Sequence, residues 1–231
     1  TRLADAIRSA GSVSAVQLHH GGLRADPHVH GGPNVAPWDD PSRHTRALAT
    51  DEIQRSIDDF IAAAVRAERA GFDGVQLHGA HGYLICQFLD ARHNHRDDGY
   101  GGSLDDRSRF LFETVEGVRA ATGPDFQVGV RLTPEGAGIV IDESREVFSR
   151  LVASGLVDHI DMSLWDVHTN PSATGTRAII EEFTSLNRGA TRLGVAGKIY
   201  SAADATWCLE QGADYVTVGT GAILHADFAE R

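Results

Sequence analysis

Seven residues, His78-Gly79-Ala80-His81-Gly82-Tyr83-Leu84, set two imidazoles three positions apart and a phenol two positions further on. They follow a strand-like run, Asp73-Gly74-Val75-Gln76-Leu77. Such a loop is either ordinary packing at a turn or three polar groups aimed at one small object. Imidazole N–H groups can donate to a carbonyl oxygen, and a phenol of pKa about 10 is a usable acid for a strongly basic enolate or carbanion. Chelation of a metal is the competing chemistry, with His19, His20, His28 and His30 as further nitrogen donors. A metal site, however, draws ligands from different strand ends and supports them with carboxylates. No acid shares the loop of His78 and His81, so hydrogen-bond donation suits the pair better.

Other residues carry chemistry at similar places. Arg131 sits in the apolar run Val128-Gly129-Val130-Arg131-Leu132, where an unpaired guanidinium would be costly to bury. It is either half of a buried ion pair with a neighbouring strand's carboxylate or a fixed positive charge facing an electron-rich ring. Gln17 offers both a donor and an acceptor, which fits the edge of a heterocycle or simply a satisfied surface position. Near the end of the chain, Gly194-Val195-Ala196-Gly197-Lys198 and Val218-Gly219-Thr220-Gly221 put small residues after the last two strand-like runs. Glycine there lets backbone N–H groups approach a phosphate, although helix caps use the same residue.

The elements that must position these residues can be read from periodicity. Strand-like runs are expected over 13–18, 73–77, 127–132, 159–164, 193–196 and 215–218, with helices over 53–70, 104–121, 142–153, 178–187 and 202–211 between them. Thr50-Asp51-Glu52 supplies an N-cap signature for the helix over 53–70, and Gly71 ends it. The first eight residues read as a helix already under way. AGFDGVQLHG, SGLVDHIDMS and QGADYVTVGT echo one another as helix end, turn and buried strand, which implies parallel strands joined by right-handed crossovers. Gln17, His78, Arg131, Ser163, Lys198 and Thr220 lie at or just beyond strand C-termini. Polar groups at six strand ends favour a (β/α)8 barrel, whose active face is there, over a doubly wound sheet with a single switch point. About six of eight barrel strands are visible. The expectation is one domain over residues 1–231, with the front of the barrel preceding residue 1.

Composition narrows the class. The chain has 231 residues, 42% hydrophobic and 23% charged, with a formal charge of -11 from 32 acids against 21 Lys and Arg. That balance argues against general nucleic-acid binding, so an anionic ligand must be held locally. No apolar run approaches the roughly 20 residues of a membrane span. Cys86 and Cys208 stand alone, fitting reduced thiols, a cytoplasmic location and no iron-sulfur cluster.

Together the motifs resemble a known family. HGAHGYL, then Gln87-Phe88-Leu89, the stretch Asn94-His95-Arg96-Asp97-Asp98-Gly99-Tyr100-Gly101-Gly102-Ser103, Asp106-Arg107-Ser108-Arg109-Phe110, the upstream QLHHGG and the downstream VGVRLTPEG are similar to the old yellow enzyme family of FMN-dependent ene-reductases. The likeness runs from Ala15 to Phe228. It implies an eight-stranded α/β barrel that binds FMN, takes electrons from NAD(P)H and reduces the activated C=C bond of a small α,β-unsaturated carbonyl compound. By the same resemblance Gln17 meets the flavin pyrimidine edge and Arg131 its N1/O2 region. His78 and His81 grip the substrate carbonyl, Tyr83 donates the proton, and Gly197, Lys198, Gly219 and Thr220 fall at the phosphate loops. Thr220 stands where the family usually has Arg, so Lys198 is expected to supply the phosphate's counter-charge. No resident metal, nucleic-acid partner or membrane partner is expected, and a homo-oligomer is left open. Two other readings stand beside this one: a flavin-deficient barrel acting as a binding or vestigial module, and a metal-dependent barrel hydrolase using the histidines.

Overall fold

In the computed structural model, residues 1–171, 177–225, 227 and 228 are described. The chain opens with helix α1 (Arg2–Ser9), capped by Thr1, followed by strand β1 (Ala15–Leu18). A long excursion holds the one-turn helix α2 (Pro27–His30) and two short strands, β2 (Asn34–Ala36) and β3 (Thr45–Ala47), paired parallel to each other. Helix α3 (Thr50–Arg69), strand β4 (Gly74–Gly79), the short helix α4 (Leu84–Leu89) and helix α5 (Leu104–Ala121) come next. The rest alternates: β5 (Gln127–Leu132), α6 (Ile141–Ser154), β6 (His159–Ser163), α7 (Glu181–Thr184), β7 (Arg192–Ala196), α8 (Ala202–Glu210), β8 (Tyr215–Val216) and α9 (Thr220–Leu224).

Six strands form one all-parallel sheet in the order β1-β4-β5-β6-β7-β8. The order never reverses, so the sheet winds in one direction as in a (β/α)8 barrel and has no switch point at which a doubly wound sheet would gather its function. The chain thus supplies six strands of such a barrel, and β1 and β8 are the two edges of the sheet among the described residues.

Alternation along the strands explains the polar residues. Side chains of successive residues point to opposite faces of a sheet. Val75, Leu77, Val128, Val130, Leu132, Ile160, Met162, Leu193 and Val195 are buried in the main core, against the helical layer. The residues between them form the inner face, and their register runs straight across the sheet: His78 pairs with Arg131, Arg131 with Asp161, Asp161 with Gly194, and Gly194 with Tyr215. Glycines make room there: an added methyl at Gly129 would meet the His159 ring at 1.9 Å, and one at Gly194 would meet the Tyr215 ring at 2.2 Å.

Several expected boundaries move. Helix α3 begins at Thr50, and the N-cap position falls on Ala49. Glu52 Oε2 accepts from the Ala49 N–H at 2.9 Å, while the Thr50 hydroxyl donates to Asp98 instead of capping. Its buried residues Ile53, Ile57, Phe60, Ala64 and Ala67 keep the spacing of one helical stripe. The helix expected over 178–187 contracts to the single turn α7, and the strand expected over 215–218 shortens to Tyr215–Val216. Thr217 still donates its N–H to the Val195 carbonyl at 2.8 Å, so backbone pairing outlasts the regular strand. Part of the loop over 165–175 lies outside the described residues.

Candidate functional site

The quoted loop leaves β4 in a sharp turn. His81 adopts φ 61° and Gly82 φ 72°, the left-handed region that costs a non-glycine residue steric strain. Three contacts hold the turn. The His81 N–H donates to Thr133 Oγ1 at 2.9 Å, the Gly82 carbonyl accepts from Gln87 Nε2 at 2.7 Å, and the His81 carbonyl accepts from Arg24 Nη1 at 2.6 Å. Helix α4 then starts against the loop after β1, its Leu84 N–H donating to the His20 carbonyl at 3.1 Å.

This turn converges the three groups. His78 and His81 have ring centres 5.0 Å apart, and Tyr83 lies 5.2 Å from His78. Tyr83 also meets His19 edge-on at 4.2 Å, with the Arg24 guanidinium carbon 5.7 Å from its ring centre. His78 is buried, and among the described residues its Nδ1 has no hydrogen-bond partner. Burial, reinforced by nearby His81, Arg131 and His19, depresses its pKa to about 3. His81 is depressed in the same direction by burial and then by Arg131 and Arg24. Both rings are therefore neutral in physiological conditions, able to donate one N–H each without giving up a proton. The His81 Nε2 to Ser163 Oγ separation is 2.6 Å.

Arg131 shows that its two readings are compatible. It pairs with the carboxylate of the next strand, Nε lying 3.4 Å from Asp161 Oδ2, and donates from Nη2 to Ser163 Oγ at 3.3 Å. It also lines a cavity of about 220 Å³ together with Ser163, Trp165, Gly197, Lys198, Tyr200, Thr217, Gly219 and Thr220. All four residues expected at phosphate loops are thus beside Arg131. They differ in kind. Gly197, at φ 154°, is fixed by packing, since an added methyl would lie 2.9 Å from the Asp166 nitrogen. Among the described residues no atom lies within 4 Å of that position at Gly219, so its backbone is open to a ligand. Lys198 is exposed at φ 50° and pairs with Asp166 at 3.1 Å, which occupies part of the charge expected of it. Thr220 begins α9.

Gln17 lies on the inner face of β1, in register with Gln76, and donates to its Oε1 at 2.7 Å. The arrangement joins a hydrogen-bonding pair and a phenol to a guanidinium and a glycine-lined hollow. Asp161 was expected only as an unnamed carboxylate on a neighbouring strand, and Arg24 and the contact between Ser163 and His81 were not foreseen. Asp161 could have been found from strict alternation in Ile160-Asp161-Met162-Ser163, whereas Arg24 lies in a loop that no periodicity reads. Among the described residues no three His, Cys, Asp or Glu side chains cluster to hold a metal ion, and no helix is long and apolar enough to cross a membrane. Cys86 and Cys208 are buried and free, burial pushing each thiol to about 11.

Comparison with known proteins bears on what the hollow takes. Residues 1–231 match the NADH:flavin oxidoreductase / NADH oxidase family. The chain is 34% identical to the NADH:fumarate oxidoreductase of Klebsiella pneumoniae and 32% identical to the NADH:acrylate oxidoreductase of Vibrio harveyi, over all of its length. It spans only 27% and 25% of those two proteins. Among solved structures, morphinone reductase in complex with tetrahydroNAD superposes with a TM-score of 0.80 at 31% identity, over 99% of this chain and 68% of that one. The old yellow enzyme homologue of Zymomonas mobilis gives a TM-score of 0.80 at 31% identity, over 99% and 70%.

Proposed function

Because this chain belongs to the NADH:flavin oxidoreductase / NADH oxidase family, we propose that it is the FMN-binding barrel of an oxidoreductase that uses NAD(P)H to reduce the activated C=C bond of a small α,β-unsaturated carbonyl compound. The observation that carries this reading is the convergence of His78, His81 and Tyr83 beside Arg131 on one polar face of the sheet.

The residues present fit the cofactor. Among the described residues His78 Nδ1 is a buried polar atom without a hydrogen-bond partner, and such an atom is costly unless a ligand or solvent completes it. Gly219 leaves the open approach that a phosphate needs, and Gly197, Lys198 and Thr220 line the same hollow. Gln17 would meet the pyrimidine edge and Arg131 the N1/O2 region, where its charge favours the anionic reduced ring. When bound, FMN supplies hydride transfer between the nicotinamide and the substrate.

The chain's own residues do the rest. His78 and His81, neutral and fixed, donate to the carbonyl oxygen and stabilise negative charge that grows there, an effect of roughly 3 kcal/mol per well-placed donor. Tyr83 stands next to the pair and gives its proton to the α-carbon. Residues 1–231 form one barrel domain whose sheet edges, β1 and β8, two further strands would join to close an eight-stranded barrel. Two unbridged buried cysteines and the use of NAD(P)H support a cytoplasmic setting.

The decisive assay separates two half-reactions. Tyr83→Phe is expected to slow substrate reduction while sparing cofactor reduction by NAD(P)H; equal slowing of both removes Tyr83 from the proton step. A second reading, a flavin-deficient barrel serving as a binding module, draws on the Lys198 to Asp166 pair and on Thr220 in place of arginine. Protein that stays colourless after incubation with FMN would favour it.

A further inference from the structure

One buried acid plays no part in the reading above. Asp161 is fully buried on the inner face of β6, in register with Arg131 on β5. Its Oδ2 lies 3.4 Å from Arg131 Nε. Among the described residues neither carboxylate oxygen, nor Nε, has a hydrogen bond of good geometry. The groups that face Asp161 are few. Arg131 approaches from β5, Gln76 from β4 and Thr217 from beyond β8, each favouring the charged form. Tyr215 on β8 is electrostatically coupled to it, and burial and Asp161 both push the Tyr215 phenol up, so it stays neutral. Its own strand contributes His159 and Ser163 two positions either side, the first depressed by burial and therefore uncharged at neutral pH. Arg131 is thus the one cation against Asp161 among these groups, and burial works against the carboxylate's charge.

The pair does not end at Arg131. Its other edge donates from Nη2 to Ser163 Oγ at 3.3 Å, and Ser163 Oγ is 2.6 Å from His81 Nε2. A continuous polar row therefore runs from Asp161 through Arg131 and Ser163 to the histidine that would grip the substrate oxygen. In a dry interior a guanidinium stripped of its carboxylate keeps its full field on its neighbours.

We propose that Asp161 is a positioning residue of this site. It holds Arg131 by the Nε edge, leaves the Nη edge to Ser163 and the hollow, and offsets the guanidinium charge, so that it sets how strongly Arg131 stabilises a negative ring and how far it opposes protonation of His81. The ring half of this statement rests on the flavin role proposed for Arg131; the His81 half does not.

The test is Asp161→Asn in the full chain, an exchange that keeps shape and removes charge. Without cofactor, the His81 ring should titrate at lower pH than in the unsubstituted protein by NMR, because a bare Arg131 disfavours the imidazolium. With FMN bound, the flavin reduction potential should become more positive. An unchanged His81 midpoint in the folded variant overturns the inference, as does an unchanged potential in FMN-loaded protein. If neither protein binds FMN, the flavin reading fails, and the His81 midpoint alone then decides whether Asp161 governs Arg131. Should the variant not fold, the unsubstituted protein gives the answer: the ¹³C carboxyl resonance of Asp161 must report an ionised carboxylate at pH 7, and a neutral acid there overturns the inference.

Discussion

At the scale of single residues the account turns on two neutral imidazoles and one phenol. His78 titrates near pH 3 because it is buried among positive or protonatable neighbours, so above that pH it remains a donor and not an acid. The pH dependence of substrate reduction is therefore expected to show no inflection from His78 between pH 5 and 8, read from kcat/KM profiles of the unsubstituted protein and His78→Asn. Substituting His78 or His81 by Ala should lower kcat/KM about 10²- to 10³-fold, since each removes one donor to the developing oxyanion. These groups were legible in the sequence because the HGAHGYL spacing is short and local. Their partners were not: Ser163 meets His81 across 82 positions, and Arg24 reaches the His81 carbonyl across 57.

At the scale of elements, the inner face of the sheet does the positioning, and its glycines separate packing from binding. Gly194→Ala would push a methyl to within 2.2 Å of the Tyr215 ring, and a loss of about 1–3 kcal/mol is expected in urea unfolding from this overpacking. Gly219→Ala meets no atom within 4 Å among the described residues and should stay within about 0.5 kcal/mol of the unsubstituted stability, yet weaken FMN binding in a titration. The helical layer has its own joint. Arg107, 4% exposed, forms a two-pronged pair with Glu143 at 2.7 and 2.9 Å and donates to the Leu89 carbonyl at 2.7 Å, tying α5 to α6 and α4. Arg107→Lys cannot reproduce the fork, and a loss of roughly 2 kcal/mol is expected in the same unfolding measurement. The long helices were readable from sequence, α5 and β5 to the residue, because Ser103 caps α5 and the apolar stripe is unbroken. Helix α7 was overcalled because Ile179, Ile180 and Phe183 are buried at spacings that suit a helix but pack as a turn, with Ile179 bonded back to Thr169. Strand alternation was the missed signal: apolar runs such as Ile160-Asp161-Met162-Ser163 carried the inner face in their even places.

For the molecule as a whole, burial of ionisable groups sets the response to acid. His19, His20, His78, His81 and His159 are all depressed below 6.5 by burial. Between those folded values and 6.5 the unfolded chain binds more protons than the folded one, so stability rises with pH across that window and is complete above it. Glu52, held near 2 by Arg46, acts with the same sign at lower pH, and Asp161, raised by burial, opposes it. The melting temperature is accordingly expected to climb from pH 4 to pH 7, with a shallower climb in His78→Asn. Fold class was legible because strand, helix and turn recur in a fixed order; the expectation that a flavin lies on the inner face came only from the family resemblance. The central claim is that this polar face takes a flavin, and the visible absorption spectrum of the chain after incubation with FMN and removal of the excess addresses it most directly. The account predicts a retained flavin band near equimolar amount, bleached by NAD(P)H and restored by cyclohexenone; protein that emerges colourless, or a band that NAD(P)H leaves untouched, would contradict it.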